Sequence, residues 1–108
     1  MSDRELLELA AKAVGLQIEW SEAYQRYEMF NGMRYAGSWN PLTDDGDALR
    51  LAVSLGICVY PPFPAEPGKL AVAHTDRDML EELCGIDPCA ATRRVIVRAA
   101  AQIGKATS

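Results

Sequence analysis

The chain has 108 residues, 49% of them apolar and 24% charged, with a net charge of −4. This supports one globular domain with its own core and excludes a low-complexity or collagen-like chain. No apolar run approaches the about 20 residues of a membrane-spanning helix, and a charged start at Asp3, Arg4 and Glu5 without a signal-peptide core makes the cytoplasm the expected compartment.

A helix is predicted over residues 3–14. Ser2 or Asp3 caps it and Gly15 follows as its stop. Leu6, Leu9, Ala10 and Ala13 share one face, flanked by Leu7 and Val14, with Glu5, Glu8 and Lys12 opposite. LQIEW, 16–20, reads as a short strand. The next segment, 21–37, admits two readings. Asn31-Gly32 suits the turn of a tight hairpin, whereas Ser21 as a cap and Gly32 as a stop suit a short helix. The aromatic density favours strands.

In WNPLTDDGDALRLAVSLG, 39–56, three carboxylates precede an apolar run. Thr43, Asp44 and Asp45 are all good helix caps, and Asp47 falls in the first turn, where backbone N–H groups lack partners. Asp44, Asp45 and Asp47 are also weak candidates for a divalent metal. A calcium loop, however, needs alternating acids, glycine sixth and glutamate twelfth, and a phosphate loop needs more glycines and a lysine. Capping accounts for every acid in the cluster. The helix should run to Leu55 and stop at Gly56. Ala48, Leu49, Leu51, Ala52, Val53 and Leu55 surround it, so burial on nearly every side is expected.

ICVY, 57–60, reads as a buried strand. PPFPAEPG, 61–68, is a stiff connector or a preformed docking segment, with Phe63 exposed or tucked under. LAVAHT, 70–75, is a strand with Leu70, Val72 and His74 on one face and Ala71, Ala73 and Thr75 on the other. Residues 76–84 suit a short helical turn with Met79, Leu80 and Leu83 inward. A last helix starts at the Asp87 cap with Pro88 in its first position, and Gly104 is its expected end. Cys89, Thr92, Ile96, Ala99, Ala100 and Ile103 share its buried face, and Arg94, Arg98 and Lys105 line the opposite one. Arg93 sits on the flank, where it could reach the acids that start the second helix.

Cys58, Cys84 and Cys89 are too few and too irregular for a disulfide framework, so reduced and partly buried thiols are expected. A zinc cluster of these three with His74 is the minor reading. No cofactor is expected. Charge is uneven: residues 1–87 hold all 15 acids and 7 bases, and residues 88–108 hold four bases and no acid.

The stretches at 39–56 and 87–106 (DPCAATRRVIVRAAAQIGKA), with AAKAVG at 10–15, resemble small phage and prophage proteins that share the phage ABA sandwich domain. The likeness covers most of the chain and is weakest over 21–38 and 61–86. It implies an α+β fold as a three-layer α/β/α sandwich, with about three main helices on a small, mostly antiparallel sheet. It also implies a phage or prophage gene in a bacterium. It implies no catalytic residue; TDDGD at 43–47 carries over as a motif only, and the proline-rich segment, Cys84 and Cys89 depart from the pattern.

Three functions compete. The favoured one is a non-enzymatic protein that binds a host or phage protein, for instance to blunt a defence system, with Tyr24, Tyr27, Tyr35, Trp39 and Phe63 as exposed anchors and Arg94 and Arg98 as further contacts. The second is nucleic-acid association through Arg94, Arg98 and Lys105. The third is a metal-dependent enzyme built on Asp44, Asp45 and Asp47 with His74, which lacks a nucleophile. The sequence leaves the oligomeric state open.

Overall fold

The structure is a computed structural model that describes residues 1–107. Helix α1 (Asp3–Val14) starts in a capping box: the Ser2 hydroxyl accepts from the Glu5 N–H, and the Glu5 carboxylate reaches back to the Ser2 N–H. Strands β1 (Gln17–Ser21), β2 (Arg26–Asn31) and β3 (Arg34–Trp39) form one antiparallel meander. A hairpin is therefore the outcome and the helical reading of this segment falls, but its two turn residues are Gly32 and Met33, because Asn31 ends β2 paired with Arg34. Ala36 is the extra residue of a bulge, because Phe30 pairs with Tyr35 while Met29 pairs with Gly37. Helix α2 (Asp45–Leu55) follows and ends at Gly56 in the left-handed conformation. Strands β4 (Cys58–Tyr60), β5 (Leu70–His74) and β6 (Met79–Leu83) form a second antiparallel meander, and α3 (Pro88–Ala106) closes the fold.

The fold is an α+β sandwich-like arrangement of three helices and two small antiparallel sheets. Each strand pairs only with its neighbours in sequence, and α2 stands between the two meanders, so the strands divide into two sheets. Helix α3 is central. It packs on α1 and α2, and on β5 and β6. Val95, Val97, Ala99 and Ala100 are fully buried, and small side chains let the neighbours come close. The first sheet adds Tyr27 and Trp39 to the same core.

Several expectations are corrected. Helix α3, not α2, is buried on nearly all sides; α2 leaves Leu49 and Val53 exposed at 64% and 73%. Helix α3 runs two residues past Gly104, which is buried against α1. The buried residues of α1 are Leu6, Leu7, Ala10 and Ala11, with Leu9 and Ala13 of the predicted stripe only partly buried. Strand β4 is an edge strand with Cys58 and Tyr60 exposed; the buried residue is Ile57, just before it. Residues 76–84 form no helical turn. The Thr75 hydroxyl accepts from the N–H groups of Arg77 and Asp78 in a tight turn, and MLEEL returns as β6. Only Leu80 of the three expected inward residues is buried, because a strand alternates where a helix would gather them.

Candidate functional site

The acids of TDDGD are each occupied within the fold. Asp44 is the N-cap of α2, and its carboxylate accepts from the Asp47 N–H at 2.8 Å. Asp47 is itself buried; it accepts from the Asn40 N–H at 3.0 Å and pairs with Arg50 at 2.7 Å. Asp45 pairs with Arg93 at 2.6 Å. The Thr43 hydroxyl lies 3.4 Å from the Asn40 carbonyl in the preceding turn. At the third helix Asp87 accepts from the N–H groups of Cys89 and Ala90. Of Thr43, Asp44 and Asp45 only Asp44 caps α2, which corrects the expectation that capping accounts for every acid: Asp45 and Asp47 are instead held by Arg93, Arg50 and the Asn40 N–H. Among the described residues, no three His, Cys, Asp or Glu side chains gather in a way that would hold a metal ion. Cys58 and His74 are cross-strand partners, but Cys84 is buried elsewhere and Cys89 opens α3.

The arginines of α3 face three different elements. Arg93 donates to the Leu42 carbonyl at 2.8 Å as well as to Asp45, which ties α3 to the entry of α2. Arg94 pairs with Asp3 at the start of α1. Arg98 pairs with Glu82 and donates to the Glu81 carbonyl of β6. The stripe of positive charge thus meets acids of the first 87 residues, and its guanidinium groups act as clamps between elements.

The aromatic candidates separate by burial. Trp39 and its cross-strand partner Tyr27 are only 5% and 3% exposed and belong to the core, which corrects the reading of both as exposed anchors: the strands place them inward. Tyr24 is exposed in the β1–β2 turn with the Arg26 guanidinium over its ring. Tyr35 lies on the outer face of the first sheet, where its hydroxyl donates to Glu28 at 2.8 Å. Arg26 donates to the same carboxylate. The Tyr35 hydrogen bond, helped by Arg26 and opposed by desolvation, holds the Glu28 carboxyl below its usual value. The same bond raises the Tyr35 phenol. Burial, then the bond to Glu8, raises the Tyr27 phenol.

Phe63 is 93% exposed in the proline-rich segment. Beside it lies the feature that sequence reasoning missed: an open apolar groove of about 440 Å³ between α2, β4 with its proline segment, and the first turns of α3. Ala48, Leu49, Val59, Pro61, Pro62 and Ile96 form its walls. Its polar groups are already engaged, since Arg93 holds Asp45 and the Thr92 hydroxyl donates to the Pro88 carbonyl. Such a surface favours apolar side chains over charged ligands. The available signal was the excess of apolar residues around α2: a stripe that the fold leaves uncovered is a stripe for something else.

No family model matches the chain, and neither a curated protein nor a solved structure does. No helix among the described residues is long and apolar enough to cross a membrane.

Proposed function

We propose that this is a small phage- or prophage-encoded protein that acts without catalysis, in the cytoplasm of the bacterial host, by binding a host or phage protein. Counter-defence is the role that suits such a protein best. The origin rests on the resemblance of 39–56 and 87–106 to the phage ABA sandwich proteins. The mode of action rests on one observation, the apolar groove with Leu49 and Val53 exposed one helical turn apart beside it. The partner is a protein segment that presents apolar side chains, one set into the groove and others along the Leu49–Val53 ridge. The prolines at 61, 62 and 64 stiffen one wall, so less order has to be imposed on binding.

Nucleic-acid binding is the weaker reading, because Arg94 and Arg98 are engaged with acids of the same chain. An enzyme built on the aspartates is weaker still, because each has an intramolecular donor.

The test is affinity capture of tagged protein from host lysate, with and without infection, using wild type, Leu49→Lys and Val53→Lys. Both side chains are exposed, so stability should move by no more than about 0.5 kcal/mol. One stoichiometric protein should be captured by wild type and lost by both variants. Capture that ignores both substitutions, or nucleic acid in place of protein, overturns the proposal.

A further inference from the structure

The second sheet is covered on one face only. Ala71, Ala73 and Leu80 are buried on the side packed against α3. By alternation the other face carries three cross-strand rows: Cys58–His74–Met79, Tyr60–Val72–Glu81, and Leu70–Leu83. Tyr60, Met79 and Leu83 are each more than half exposed, and Leu70 is 43% exposed. An antiparallel sheet with one face in water normally turns polar side chains outward. Beyond one carboxylate, Glu81, and one imidazole, His74, this face carries aliphatic, aromatic and sulfur side chains.

We propose that the outer face of the β4–β5–β6 sheet is a homodimer interface, stacked face to face on the same sheet of a second copy. The register supports this occupant. A two-fold axis parallel to the strands lays β5 on β5, exchanges β4 with β6, and keeps each row at its own level. Tyr60 of each copy then stands opposite Glu81 of the other, so the one carboxylate of the face meets a hydroxyl donor, twice. Val72 meets Val72, His74 meets His74, and Cys58 meets Met79. The alternative axis, perpendicular to the strands, places Glu81 on Glu81, and like charges oppose it. Association edge to edge is disfavoured. Strand β4 has three residues and runs into Pro61 and Pro62, which offer no N–H, and the Glu81 carbonyl of β6 already accepts from Arg98. The face measures about 15 Å by 17 Å, well short of the about 800 Å² per partner of a standard stable interface. The dimer should therefore be weak and transient, populated only towards high protein concentration.

Sedimentation velocity of the full chain, from low micromolar to near-millimolar concentration, tests this. The weight-average mass should rise from monomer towards twice that value. Leu83→Lys should weaken dimerisation about thirtyfold or more, and Tyr60→Phe about fivefold, with far-UV circular dichroism unchanged. Val53→Lys, on the groove side, should leave the dimer intact. A monomer at every concentration overturns the proposal, as does a dimer indifferent to both Leu83→Lys and Tyr60→Phe, or a face that binds only a different protein.

Discussion

Gly104 illustrates how much one missing methyl group can decide. A Cβ built there would lie 1.9 Å from the Leu9 carbonyl oxygen and 2.8 Å from its carbon. Both atoms are backbone, so no side-chain rotation relieves the clash; α1 and α3 would have to separate. Gly104→Ala should cost about 1–3 kcal/mol or more, although alanine is the better helix former. Urea denaturation checks this, and an unchanged midpoint would show that the crossing is looser than described. From sequence, a glycine near the end of an amphipathic run reads as a stop signal. Its real partner lies 95 positions away, and only the docked helices show it. Arg93 is the opposite case. Its place on the flank of the helix and the acids at 44–47 are both visible in the sequence, and of those acids the structure pairs it with Asp45.

Among the elements, helices were legible and the second meander was not fully so. The caps act locally, through N–H groups within three residues, so sequence alone singles out Asp87 and narrows the other two to short sets of neighbours, from which the structure selects Ser2 and Asp44. MLEEL favours a helix by propensity, but pairing with β5 and burial of Leu80 override it. The first sheet yields a pH prediction. Glu28 has its carboxyl lowered in the folded state, so its contribution is present at neutral pH and is lost as pH falls below about 4.5 through the lowered value. The Tyr35 phenol is raised, so its contribution is present below pH 10 and is lost as pH rises beyond it through the raised value. Tyr35→Phe removes the main cause of the Glu28 shift. The variant should lose less of its stability on acidification than wild type, and should lack the alkaline loss that residue 35 contributes. Urea midpoints measured across the pH range check both limbs; parallel acid profiles would show that the Tyr35–Glu28 bond is not kept in solution.

At the scale of the whole molecule, α3 unites the fold by packing and by charge. Its apolar side chains touch α1, α2 and the second sheet, and Arg93, Arg94 and Arg98 each reach a different element. The uneven charge of the chain thus becomes a set of internal pairs. With a shared core that includes Tyr27 and Trp39, the molecule should unfold in one step. Tryptophan fluorescence reports the first sheet, which carries Trp20 and Trp39, and far-UV circular dichroism reports mainly the helices. The two transitions should coincide on heating. A separate fluorescence transition would mark the first sheet as an independently melting unit.

By itself the sequence determined the three helices, with a short choice of capping residues for the first two and Asp87 for the third, and a hairpin with Gly32 in its turn. Each follows from patterns that span a few residues, where propensity, hydrogen bonding and periodicity act locally. Only the tertiary structure decided which helix lies at the centre, how the strands divide into two sheets, that Trp39 is buried, and where apolar surface remains uncovered. The reason is that burial belongs to pairs of elements. Leu49 and Val53 look as much like core as Leu51 and Ala52 until the neighbours of α2 are in place, and the outer face of the second sheet exists only once β6 has paired with β5.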